Sequence, residues 1–131
     1  MTKALTARQL LILVLLGAGF WFLGAMAVRL LLPWGLLEPS LAPLAFALAL
    51  PLIYPALPIA RRAAGLLPGQ LFPAVSVATM AAMFLDALAF RFFHRIYGED
   101  LAMLLGGAAW ILWAAALGML LAYLIDRRAA G

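Results

Sequence analysis

LAMLLGGAAWILWAAALGMLLAYLI, residues Leu101 to Ile125, runs for twenty-five residues without one charged side chain. A bilayer's hydrocarbon core needs about 20 apolar residues as a helix, so this segment alone is long enough to cross one. Working back along the chain, three more stretches reach the same length: Leu71–Phe90, Leu41–Ala60 and Leu10–Leu32. Leu41–Ala60 is also free of charge. Leu71–Phe90 carries Asp86 alone, and Leu10–Leu32 carries Arg29 alone. With no water to bond backbone amides inside a bilayer, each stretch is expected to be helical. The loops between them are short, which predicts antiparallel neighbours. The expected fold is therefore all-α, a polytopic up-down bundle of four transmembrane helices over residues 1–131.

Composition leaves little room for anything else. Hydrophobic residues make up 69% of the 131 and charged residues 11%, against about 45–50% and about 25% in soluble domains. That balance excludes a globular cytoplasmic enzyme and a disordered chain. The net charge of +4 would suggest nucleic acid on a soluble protein, but here the cations sit at span ends, where they orient membrane proteins and meet anionic headgroups. No nucleic-acid partner is expected; the lipid bilayer is. The absence of cysteine and the single histidine, His94, rule out disulfides and thiolate or His-rich metal sites. No cofactor and no metal are expected.

The N-terminus imitates a signal peptide: Lys3 and Arg8 precede an apolar run, and Ala25-Met26-Ala27 has the small-x-small form of a cleavage site. The run is longer than the usual ~7–15-residue core and carries Phe20, Trp21 and Phe22 just upstream, so an uncleaved first span is expected. Pro33 should end it. Ser40 and Pro43 should open span two, Gly65–Gly69 should form the second loop, and Asp100 should cap span four. Lys3, Arg8, Arg61, Arg62, Arg127 and Arg128 fall on one side of this topology and Arg29, Arg91 and Arg95 on the other. The excess predicts both termini in the cytoplasm.

Arg29 and Asp86 are the candidate polar site. Each lies about one turn from the outer end of its span, and opposite charges at one depth are the usual way to hold ionisable groups in a membrane. The expectation is a direct or water-bridged ion pair, with Asp86 facing inward beside Ala82, Met83 and Phe90. Such a pair would line a vestibule for an anion, proton or small solute. The plainer reading is a structural pair, or an arginine that snorkels to the headgroups. Pro51, Pro55 and Pro58 form a helix-kink face, since each removes a bond to the carbonyl four residues earlier. Such a helix either lines a substrate path or is simply bent. Gly107, Ala114, Gly118 and Ala122 form a small-residue stripe for close helix packing, within the chain or against a second copy or another membrane protein. Trp110 and Trp113 should point to lipid or a gap in the bundle. Arg91-Phe92-Phe93-His94-Arg95-Ile96-Tyr97 reads as an anchor belt at the outer interface, with Arg95 and Glu99 paired four residues apart.

DALAFRFFHRIYG, Asp86 to Gly98, followed by the Trp110–Trp113 segment, resembles the C-terminal half of an uncharacterised family of small four-helix bacterial and archaeal membrane proteins. GFWFLGAMAVRLL, Gly19 to Leu31, resembles its N-terminal part, Arg29 included. The resemblance implies the fold and no activity. Small multidrug exporters carry a glutamate in the first span, which this chain lacks. Small fluoride channels carry a glycine-rich motif ending in arginine, whereas Gly106-Gly107 is followed by alanines and Trp110. No paired carboxylates, Ser/His set or metal ligands occur within the spans, so no catalytic residue and no enzyme is expected. What remains is a transport-type or partner-assembly component with a polar Arg29/Asp86 site near the outer face, or a structural membrane protein with no ligand pathway.

Overall fold

The computed structural model describes residues 4–130. All its regular structure is helical: α1 (Ala7–Leu31), α2 (Ala42–Ile53), α3 (Ala56–Ala64), α4 (Leu71–Phe92) and α5 (Leu101–Ala130), with 3₁₀ turns at Leu32–Trp34 and His94–Ile96. Four helical segments are long and apolar enough to cross a membrane, Ala42–Ala64 being one of them although it contains both α2 and α3. Their apolar side chains face outward as much as inward. Leu15 is 64% exposed, Phe84 68% and Leu105 76%, surface that water would penalise.

Each helix boundary has a local cause. α1 starts earlier than the apolar run because Thr6 accepts from the Gln9 amide while the Gln9 side chain bonds the Thr6 amide, a capping box. Ser40 is not the cap of the second segment: Leu41 is, without a side-chain bond, and a proline in the first turn supplies the start. α3 ends at Gly65, whose φ of 60° suits a residue without Cβ, and the amide of Leu66 returns to the Arg61 carbonyl at 3.0 Å, a common way to satisfy terminal carbonyls. The α4 helix stops at Phe92, short of Gly98, because Phe93 leaves helical geometry and a 3₁₀ turn follows.

The second span is interrupted at Tyr54–Pro55, among its three prolines. Both residues keep right-handed helical torsions; what is lost is bonding, with the Tyr54 carbonyl taken by the Leu57 amide at 3.1 Å. The break changes partners. α2 packs chiefly on α5, whereas α3 packs on α1 and α4. The widest interface joins α1 to α4, so span one lies beside span three, and span four packs both on span two, through α2, and on span three. Gly17 makes this arrangement possible: a Cβ there would lie 2.3 Å from the Ala78 carbonyl oxygen. Two apolar cores result. One is built on Ala25, Val28, Ala45, Ala89, Tyr97 and Trp110. The other, nearer the termini, is built on Leu13, Leu57, Leu71, Ala74 and Ala122.

Span four's small residues are spent inside the chain. A Cβ at Gly107 would lie 2.7 Å from Val28 Cγ1, and one at Gly118 3.3 Å from Ile53 Cγ1. Ala122 is fully buried, and Ala114 packs against the first core. Trp110 does not face lipid; it is 4% exposed. Its indole N–H donates to the Ala45 carbonyl at 2.8 Å, and that of Trp113 to the Phe46 carbonyl at 2.9 Å. An indole N–H in apolar surroundings needs an acceptor, and these two bonds fasten α5 to α2.

Candidate functional site

At the end of the bundle away from the termini, the chain leaves α4, makes the His94–Ile96 turn and folds Tyr97 back into the interior. Tyr97 is fully buried. Its ring stacks on Phe90, with centroids 3.8 Å apart and planes 2° from parallel. Its hydroxyl donates to Asp86 Oδ1 at 2.5 Å and accepts from the Trp21 indole N–H at 3.1 Å. Asp86 and Phe90 are one helical turn apart on α4, so a single face supplies both the acceptor and the stacking surface. Met83 does not share it, being 47% exposed. Burial, then the bond to Asp86, push the Tyr97 hydroxyl well above its ordinary pKa of 10.0.

Arg29 and Asp86 form no direct ion pair. Arg29 is exposed, and its Nη1 donates to the carbonyls of Arg95 at 2.8 Å and Ile96 at 3.3 Å. A cation on the carbonyls that end a helical turn is favourable, and the guanidinium keeps most of its hydration there. Drawing it inward to Asp86 would desolvate a second charge, whereas the neutral tyrosine satisfies the carboxylate without that penalty. The two predicted residues therefore act on one segment from two sides: Arg29 holds its backbone, and Asp86 holds its tyrosine. The Arg95–Glu99 pair is also absent among the described residues, because the chain between them is not α-helical and four residues do not make a turn.

Beside Tyr97 lies an open cavity of about 710 Å³, lined also by Arg29, Trp34, Glu38, Glu99 and Asp100. One cation and three carboxylates meet there. Asp86 is not part of the lining; its carboxylate bonds the hydroxyl of Tyr97, a residue that is. The prolines do not approach this cavity. Pro51, Pro55 and Pro58 are exposed on the outside of the bundle, and Pro51 and Pro55 border a separate apolar groove of about 520 Å³ with Leu50, Tyr54 and Leu121. The kink face thus lines no interior path.

Tyr97 and Trp21 are the residues that sequence reading missed. Tyr97 stood in an aromatic, basic run that looked like an anchor belt, and Trp21 stood among bulky neighbours. The available signal was chemical. A carboxylate in an apolar helix needs a donor, and Trp21 shares the α1 face of Ala25, Val28 and Arg29 at helical spacing. At the termini end, Gln70 is 2% exposed and its Oε1 accepts from the Leu67 amide at 2.8 Å. Gln9 Nε2 donates to the carbonyls of Ala64 and Gly65, and Asp126 accepts from the amides of Leu71 and Phe72. Among the described residues, no group of three His, Cys, Asp or Glu is placed to hold a metal ion. In comparisons with known proteins, no family model matches the chain, and neither a curated protein nor a solved structure matches it.

Proposed function

We propose that the protein is a multi-pass membrane protein with both termini in the cytoplasm, acting as a transport-type component that admits a small cation at its outer face. The observation that carries this reading is the 2.5 Å bond from Tyr97, a residue of the cavity wall, to Asp86 on a helix of membrane-spanning length. A carboxylate on such a helix marks an ion or proton pathway by default, and a phenol bonded to it, on a residue that borders the cavity, would serve as a relay. Among the lining residues, Glu38, Glu99 and Asp100 outnumber Arg29, so the cavity wall itself favours a cation over an anion. The orientation rests on six Lys and Arg residues at the termini end against three at the other. No step of this reading is catalytic.

The test is flux. Purified protein in liposomes should take up radiolabelled methylammonium, or collapse an imposed proton gradient read by an internal pH dye, faster than empty vesicles. Asp86→Asn should return the rate to the empty-vesicle level while circular dichroism keeps its helical signal. Parent vesicles no faster than empty ones with both probes would end the transport reading.

A second reading has its own observation. Beneath Tyr97 the lining turns apolar, with Ala25, Val28 and Ala89 in one closed cluster. On that reading the Trp21–Tyr97–Asp86 chain is a latch, and the protein is a structural or assembly component with no ligand pathway. The same vesicles decide, because a latch gives no flux.

A further inference from the structure

The break in the second span does more than bend it. α2 stays against α5, while α3 swings to α1 and α4, and the apolar groove of Leu50, Pro51, Tyr54, Pro55 and Leu121 opens on the bundle's outside at the point of divergence. Following each wall toward the termini leads to a cation. Arg62 is seven residues beyond Pro55, and Arg128 seven beyond Leu121. At 1.5 Å per residue, both lie about 10 Å past the groove. Seven residues are close to two helical turns, so Arg62 and Arg128 return to within about 20° of the stripe that faces the groove. Both are exposed. Asp126, the only acid at this end of the sequence, is occupied with the Leu71 and Phe72 amides.

We propose that this groove seats one acyl chain of an anionic phospholipid whose phosphate lies between Arg62 and Arg128. The proposal rests on the membrane placement above and is independent of any transport activity. Three features favour this occupant. The groove is apolar and open to the outside, as an acyl chain needs. Counted along its helix, each cation stands about 10 Å beyond the groove, one on each wall. Six cations against one acid at the termini end leave a surplus that an anionic headgroup neutralises. A second copy of this chain would bring the same surplus and repel.

Native mass spectrometry from detergent micelles tests it, with phosphatidylglycerol and phosphatidylcholine of identical chains as probes. The parent should hold one phosphatidylglycerol at a concentration at least tenfold lower than it needs for phosphatidylcholine. Arg62→Gln with Arg128→Gln should erase that preference. The control, Arg8→Gln with Arg127→Gln, removes the same charge from the same end of the bundle, from a helix that does not border the groove and from a position about 120° off the Leu121 stripe, and should keep it. Leu121→Trp, which fills the groove, should weaken both lipids. Equal loss in the two arginine pairs would reduce the effect to diffuse attraction, and no headgroup preference in the parent would overturn the proposal. A lipid-free dimer that Leu121→Trp disrupts would show the groove to be a contact between copies instead. Failure here leaves the flux assay untouched, since Arg62 and Arg128 lie at the far end from Asp86.

Discussion

The two ends of the bundle handle polar groups in opposite ways. Away from the termini, side chains bond to one another: Trp21 to Tyr97 and Tyr97 to Asp86. Three cations and three carboxylates balance around that end, with Asp86 set back on its helix. At the termini end, among the described residues, side-chain bonds run mostly to backbone. Gln9 takes the carbonyls that finish α3, Gln70 and Asp126 take amides near the start of α4, and the arginines stay exposed. One end concentrates its polar chemistry in a buried trio. The other satisfies its helix termini and leaves its charge free. Charge density alone would have pointed to the termini end, where among the described residues side chains bond mainly to backbone.

Breaking the trio should give the largest effect. Tyr97→Ala removes a fully buried ring from the Phe90 stack and strands Asp86, and should cost about 3–5 kcal/mol in equilibrium unfolding from detergent micelles. Tyr97→Phe keeps the stack and loses the hydroxyl, so about 1–3 kcal/mol is expected. If Tyr97→Ala unfolds where the parent does, this end is not organised around the tyrosine.

The same hydroxyl gives this end a pH signature. Its pKa is raised in the folded chain, so the folded state keeps a proton that the unfolded state releases above about pH 10. Stability from this group is complete below pH 10 and is lost as the pH rises past it, by up to about 1.4 kcal/mol per unit. Unfolding midpoints at pH 8 to 11 should fall in the parent and fall less in Tyr97→Phe. Parallel profiles would place the lost stability elsewhere.

The bundle was legible because segment length and apolarity report burial in lipid directly, and Arg29 and Asp86 stood out as single charges in apolar runs. Pairing was not legible. Depth matching brings Arg29 and Asp86 to the same end, but it says nothing of the loop that fills the space between them. That loop carries Tyr97 inward because Phe93 leaves helical torsions and α4 ends at Phe92, two residues past the expected span. Adjacency was likewise hidden. Short loops favour consecutive neighbours, but a carbonyl contact at Gly17 and two indole bonds to α2 decide which helices touch.

The smallest effect should come from the termini end. Gln70 precedes α4 without capping it by its side chain, and Asp126, from the far end of α5, supplies the missing acceptors at 3.3 Å to the Leu71 amide and 2.7 Å to the Phe72 amide. A carboxylate there also meets the positive end of the helix. Asp126→Ala should cost about 0.5–2 kcal/mol, the usual loss for a missing cap, and the Phe72 amide should exchange its hydrogen faster while the Tyr97 region keeps its protection. Asp126→Asn retains an acceptor and should fall between the two. A loss from Asp126→Ala as large as that from Tyr97→Ala would mean that the ends are equally organised. It would also make Asp126, rather than the buried trio, the residue that holds α5 to α4.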